Sequence, residues 1–396
     1  MPASIDSLWL ALRRVPGVGP RTARLLLEKF GAPEKIFAAT AAEIAAAGVQ
    51  SKVAHAVAAF RDFEPLEREL CELPRIGAQL LRWTDPDYPA MLREIPDPPP
   101  YLFVRGQPPP ADTRYVAVVG ARAASDAGRR MARRLGFELA AKGFAVVSGL
   151  ARGIDAEAHQ GALDAGGTTL AILGCGVDVI YPAEHRALAD AIIASSGAIL
   201  SELPIGTQPL PENFPTRNRI ISGLSLGVVI VEAAEKSGSL ITARMALEQN
   251  RQVFAVPGSP LGGKASGSNR LIKQGAVLVD CVEDVLEELA PQLIPPPIAD
   301  ADGAKAARKS HRDGGTPPKS AASARLKSVD RILESSDLTI KAAKSIILEL
   351  RDDTKLHVDA LIEASGLDAQ TVLRLLLELE LKGIVAQHPG KLFSLA

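Results

Sequence analysis

RYVAVVG at 114–120, FAVVSG at 144–149 and TTLAILG at 168–174 are short, almost continuously apolar runs, each ending on glycine. AILSEL (198–203), LGVVIVEA (226–233), QVFAVPG (252–258) and AVLVD (276–280) follow in the same style. Unbroken, β-branched runs of this length predict strands covered on both faces, as in a parallel sheet. Helical segments alternate with them, so the expected fold class is α/β, a doubly wound and mainly parallel sheet. Glycine or serine at several strand ends places turns where such sheets take ligands.

Outward from this block, at 113–290, the pattern changes. Residues 1–75 are Ala-rich and helical, broken by Pro16, Gly17, Gly19, Gly31 and Gly48, and predict a small all-α domain. Residues 76–112 are dense in proline, which prevents long helices, and predict an extended connector laid over a neighbouring domain. Residues 291–325 are rich in Pro, Ala, Gly and Ser and read as a flexible linker. Helical periodicity returns over 326–396. A helix, a turn at Gly366, a second helix and a hairpin around Pro389-Gly390 predict a winged-helix-like domain.

Composition narrows the function. The chain has 396 residues, 47% of them hydrophobic, so each domain can bury a core. Lys and Arg number 45 against 46 Asp and Glu, which excludes polybasic nucleic-acid binding but leaves room for a local basic groove. Aromatic residues are only 4%, so no segment reads as a base-stacking platform built on many rings. Cys71, Cys175 and Cys281 form no CxxC pair; a disulfide framework and a metal site are not expected, and a reducing, cytoplasmic setting fits. Neither a signal peptide nor a membrane span is expected. Residues 326–396 hold 9 basic and 11 acidic residues, and phosphate neutralisation carries most non-specific affinity, so partner contact or dimerisation is favoured there over duplex reading.

The motifs cluster at the predicted strand ends. VPGVGPRTARLLLEKFG (15–31) reads as a helix-hairpin-helix whose Gly17–Gly19 turn exposes amides to a phosphate, with Arg21 and Arg24 beside it; DNA contact and plain packing both stay open. VGARAASDAG (119–128) lacks the glycines of a dinucleotide loop and offers Arg122 instead, so no nucleotide cofactor is expected. SGLARGIDAEAHQGAL (148–163) supplies Ser148, Gly149 and Gly153 as an anion-binding turn, with Arg152 for charge. Asp155 and His159 stand at i and i+4 without a nucleophile, which favours a pair that caps and orients the loop over catalysis. Cys175 reads as apolar packing.

NFPTRNRIISGLS (213–225) offers Arg217, Asn218 and Arg219 to phosphates or base edges. Lys236, Ser237, Gly238 and Ser239 open a helix, with Thr242 one turn on, without being a Walker A loop. GKASGSNRLIKQGA (263–276) brings Lys264, Ser266, Asn269 and Arg270 to close one side of the groove. Arg122, Arg152, Arg217, Arg219 and Lys236 on one sheet edge predict a polyanion groove rather than a seat for one small phosphate.

SGLARGID, LGCGVDVIYP, NFPTRNRIISGLS, SGSLITARMALEQNR and VFAVPG, in this order, closely resemble the DNA-processing DprA (Smf) family. The N-terminal helices, the connector with Tyr88-Pro89 and Tyr101-Leu102, and the C-terminal module are similar to that family too. The resemblance implies a Rossmann-like sheet with a helical N-terminal domain and a winged-helix-like C-terminal domain. It also implies a non-enzymatic, single-stranded DNA-binding protein of natural transformation. Such a protein protects incoming strands and loads the RecA recombinase in place of single-strand-binding protein. It implies a homodimer formed through the sheet domain, and a DNA groove at Arg122, the 148–153 turn, Arg217–Arg219 and 236–239. Two rivals remain. One is a nucleotide hydrolase of the lysine-decarboxylase-like, phosphoribohydrolase group, although VEAAEKSGSLITA (231–243) stands where such enzymes carry PGGxGTxxE. The other is a duplex-binding regulator acting through the winged helix.

Overall fold

The computed structural model describes residues 3–107, 110, 112–293, 356–365, 371–372, 375–376, 379, 385–388 and 392–395. The chain divides into two compact units, Met1–Pro296 and Pro297–Ala396.

In the first unit nine strands form one sheet in the order β1-β2-β6-β5-β4-β3-β7-β8-β9. They are β1 (Ala78–Arg82), β2 (Tyr101–Gly106), β3 (Tyr115–Gly120), β4 (Ala145–Ser148), β5 (Thr169–Ile172), β6 (Ala198–Ser201), β7 (Gly227–Val231), β8 (Gln252–Ala255) and β9 (Val277–Leu278). All neighbours from β6 to β9 pair in parallel. The seven apolar runs are the seven parallel strands, because both faces of the sheet are covered. On β3, Val116 and Val118 enter one core with α8 (Asp126–Ala141), α9 (Ile154–Asp164) and α14 (Val282–Leu293). Tyr115, Ala117 and Val119 enter the opposite core, with α7 (Ala90–Glu94), α11 (Asn213–Leu224) and α12 (Ser239–Glu248). Each fully buried Val or Ile contributes roughly 1.5–3 kcal/mol, so alternation about one strand binds two helical layers to it.

The Pro-rich passage differs from its expected reading as a connector. It supplies β1 and β2, and β2 pairs antiparallel with β6 from Phe103↔Ser201 to Gly106↔Ala198. Between them Tyr88 is buried and donates its hydroxyl to Pro99 O at 2.8 Å. Prolines here hold the chain around an edge strand pair rather than off the sheet.

Residues 5–72 form six helices: α1 (Ile5–Arg14), α2 (Pro20–Phe30), α3 (Pro33–Ala38), α4 (Ala41–Ala46), α5 (Ser51–Ala59) and α6 (Glu64–Glu72). Leu10 and Ala11 of α1 join the core containing Tyr101 and Phe103 of β2, which seats these helices on the sheet edge. Arg24 donates to Ile95 O at 2.8 Å and pairs with Glu28, so it acts as a docking side chain rather than a free cation. α10 (Arg186–Ala194) and α13 (Ser266–Lys273) complete the layers.

His159 of α9 does not face Asp155. It is buried against β4 and β5, with Nδ1 2.7 Å from Thr169 Oγ1. The Thr169 hydroxyl donates to Val146 O, so the imidazole donates to Thr169, and its Nε2 has no hydrogen-bond partner among the described residues. Burial is the main cause that pulls its pKa from the ordinary imidazole value down to about 3. Below ~6.5 the unfolded chain therefore takes up a proton that the native state refuses. Asp155 opposes this, since burial raises its carboxyl and acid relieves that cost. Above the range where Asp155 titrates, stability is expected to fall with acidification from about pH 6.5 by up to ~1.4 kcal/mol per pH unit. Denaturant midpoints measured down this range check it, and His159→Gln should flatten the slope.

In the second unit β10 (Leu356–His357), α15 (Val358–Ser365), β11 (Val385–His388) and β12 (Leu392–Leu395) are described. The strands pair antiparallel in the order β10-β12-β11. Val358, Leu361, Val372, Leu375, Leu376, Leu379, Val385 and Phe393 form its core. Gly366, Pro389 and Gly390, and nearly all of the expected linker, lie outside the described residues.

Candidate nucleic-acid interface

From β3 the chain steps one way to β4, β5 and β6, and the other way to β7, β8 and β9. Connections that diverge in opposite directions leave a crevice at the carboxyl ends of the two strands between them. A cleft of about 700 Å³ lies there, lined by residues from the end of β3, from the loop after β7, from α11, and from the start of α12.

Seven of the twelve expected site residues line it: Arg122, Arg217, Asn218, Lys236, Ser237, Gly238 and Ser239. Arg122 and Lys236 are exposed, and neither has a carboxylate within ion-pair distance among the described residues. The lining holds three cations and one carboxylate, Asp155, so the cleft is electropositive although the whole chain is near neutral. Ser237 Oγ and Ser239 Oγ lie 2.7 Å apart at the start of α12, whose amide end adds partial positive charge. The Asn218 side chain is half-buried among the lining residues.

Two aromatic side chains that sequence reading did not single out complete the cleft. The Arg122 guanidinium carbon lies 5.1 Å from the Phe214 ring centroid, and that of Arg217 lies 5.9 Å from it. Tyr181 packs at 5.8 Å from Phe214 and is 39% exposed. Phe214 stands inside the NFPTRN motif, three residues before Arg217, and that proximity was the available signal; Tyr181 stands in GVDVIYP, which holds no cation and gave none. Low overall aromatic content hid it, because two rings suffice when the fold brings them together.

The expected residues divide further by burial. Arg217 is 5% exposed and donates to Gly149 O at 3.0 Å and to Ile172 O, bracing the ends of β4 and β5. Burial lowers its pKa to about 10, while the nearby Asp155 carboxylate favours the charged form. Asp155 accepts from Gly149 N at 3.1 Å and Ala151 N at 3.4 Å, so it holds the loop by itself, without His159. Arg219 corrects the expectation of an open groove cation. It is 4% exposed, ion-paired to Glu202 at 2.5 Å and to Asp97 at 3.7 Å, and is absent from the cleft lining. Helix position decides this: two residues apart on α11 the side chains point to different neighbours.

Ser148 is likewise a structural group; it is buried and donates to Val118 O at 2.7 Å. Arg152 and Gly149 border a small neighbouring pocket shared with Arg122, Tyr181 and Phe214. Arg152 is exposed but forms a two-pronged pair with Glu184, at 2.6 and 2.8 Å, which lowers its availability to a ligand. Cys175 donates to Val179 O and burial pushes its thiol up to about 11, consistent with packing. Lys264 donates to Ala123 O, and Asn269 clamps Gly258, so the 263–276 segment supports turns instead of closing the cleft. Arg270 pairs with Glu235, and Ser266 donates to Gly263 O.

Gly153 serves the backbone rather than a ligand. It sits at φ +75°, and a Cβ there would lie 2.4 Å from Ala121 O and 2.6 Å from Arg122 O. Gly153→Ala is expected to destabilise the protein by roughly 3 kcal/mol, from overpacking together with backbone strain. A denaturant midpoint unchanged in this variant would count against the tight seat of the 121–122 turn.

Comparison with known proteins agrees with this architecture. The family model for DNA recombination-mediator protein A matches residues 79–290, that for the DprA winged helix domain matches 347–391, and a SAM-like helix-hairpin-helix tandem matches 10–60. Protein Smf of Synechocystis is 35% identical over 404 aligned positions, covering 98% of each chain. DNA processing protein DprA of Bacillus subtilis is 42% identical over 228, covering 57% of this chain and 76% of its own. The X-ray structure of DprA from Streptococcus pneumoniae superposes with TM-score 0.63 at 36% identity, covering 72% of this chain and 98% of that one. Sheet, hairpin-helix tandem, winged helix and full-length similarity converge on one assignment: the chain belongs to the DNA-processing protein A family, DprA or Smf.

Proposed function

We propose that this chain binds single-stranded DNA in the cleft at the β3–β7 switch point. Arg122 and Lys236 take phosphates, the Ser237–Ser239 start of α12 adds hydroxyl and amide donors, and Phe214 and Tyr181 take unstacked bases. The observation that carries the reading is the pairing of two exposed cations, free of ion pairs among the described residues, with an aromatic pair in one cleft. A ring face engages a base only when that base has left its stack, which favours a single strand over a duplex. No helix among the described residues is long and apolar enough to cross a membrane. The role we propose is DNA handling inside the cell. In that role the strand is incoming DNA of natural transformation, handed to the RecA recombinase by a homodimer whose two grooves raise avidity.

The nucleotide-hydrolase reading is weaker, because the glycine run of those enzymes is absent and the Glu232 carboxylate already occupies the start of α8. The deciding experiment compares single- and double-stranded oligonucleotides of equal length at two salt concentrations, beside an assay for free base from nucleoside monophosphates. Preferential, salt-sensitive single-strand binding without turnover is expected. Equal binding of both forms would sink the proposal, and base release above background would replace it.

A further inference from the structure

Glu232, the residue after β7, is held in an uncommon way. Its φ is +55°, in the left-handed region that costs a non-glycine residue about 1 kcal/mol or more. It is 8% exposed. Its carbonyl accepts from Ala121 N at 2.9 Å. Its carboxylate accepts from Ser125 N at 3.0 and 3.1 Å and from Ser125 Oγ at 2.6 Å. Ser125 in turn caps α8 by accepting from Gly128 N. At Gly128 a Cβ would fall 2.2 Å from Glu232 Oε2, so the helix start is shaped around this carboxylate.

Both ends of the 121–125 turn are therefore tied to the one residue that follows β7, and Arg122 is the only cation in that turn. A carboxylate at a helix N-terminus is favoured by the exposed amides and partial positive charge there. In this fold a nucleotide phosphate would take that place after the first strand. Here the protein supplies its own anion.

We propose that Glu232 is a positioning residue for DNA binding: by filling the anion seat of α8 it fixes the 121–125 turn and aims Arg122 over Phe214 into the cleft. This inference rests on the single-strand reading above and goes beyond it by assigning a role to a residue outside the cation set. Its consequence runs against simple electrostatics. Deleting a negative charge close to a polyanion groove should by itself tighten binding; deleting a positioning carboxylate should weaken it.

The test measures fluorescence anisotropy of a labelled dT oligonucleotide across a salt series, for Glu232→Gln, Arg122→Ala, Lys236→Ala and the pairwise doubles. Weaker binding by Glu232→Gln, about fivefold or more, is expected, with a salt slope shallower by up to ~0.7, the value for one lost phosphate contact. The double with Arg122→Ala should bind no worse than Arg122→Ala alone, whereas the double with Lys236→Ala should show both losses. Ser125→Ala, which leaves β7 untouched, should move affinity the same way and serves if Glu232→Gln does not fold. Unchanged or tighter binding by Glu232→Gln, or full additivity with Arg122→Ala, overturns the inference. Unchanged binding by Arg122→Ala overturns the single-strand cleft itself, which separates the two failures.

Discussion

Arg122→Ala combined with Lys236→Ala is expected to weaken binding of a dT oligonucleotide while leaving the fold intact. Each lost phosphate contact on a single strand flattens the salt slope by ~0.7, so the double variant should lose ~1.4. If the electrostatic loss vanishes near ~1 M salt, the same slope translates into roughly 70-fold weaker binding at about 50 mM and about tenfold at about 200 mM. Both side chains are exposed and free of ion pairs among the described residues, so stability should change by no more than ~0.5 kcal/mol. Anisotropy titrations at the two salt concentrations check the affinity, and a denaturant melt checks the fold. A loss that is the same at both concentrations would mean that these cations do not hold phosphates.

Arg219→Ala should behave in the opposite manner. The variant leaves Glu202, 5% exposed, with Arg13 at 3.9 Å as its one remaining ion-pair partner among the described residues. Breaking a buried ion pair from one side costs about 3–5 kcal/mol, because the remaining charge stays desolvated. The denaturant midpoint should drop accordingly, while the folded fraction keeps the wild-type salt slope. Replacing both partners, Arg219→Met with Glu202→Leu, should recover much of the loss, since no lone charge is then buried. A stable Arg219→Ala with a flattened salt slope would return Arg219 to the groove and contradict its burial. Cations from neighbouring strand-end motifs thus have opposite predicted effects.

The contrast marks where sequence reading stopped. Arg122, Arg217, Arg219 and Lys236 look alike as cations beside predicted strand ends, and all four do lie at that end of the sheet. Their environments were not legible. Arg219 is sealed by Glu202, 17 positions away, and by Asp97 from the Pro-rich passage. Arg217 is bound to carbonyls of β4 and β5, and Arg152 meets a glutamate 32 positions on. Pairings at such separations are set by packing, and no local pattern encodes them. The 76–112 passage differs for a related reason: its prolines correctly signal an absence of long helices, but β1 and β2 form from the proline-free stretches on either side of them, and their pairing with each other and with β6 is set by residues far apart in sequence.

Periodicity, strand-end glycines and segment composition were enough to determine the doubly wound sheet and its binding edge, because covering two faces of a sheet demands apolar runs that any reader of the chain can see. Tertiary structure alone decided which cations remain free, which rings join them, and that a glutamate fills the start of α8. Those outcomes depend on desolvation and on distances between residues far apart in sequence, quantities that exist only once the chain has closed on itself.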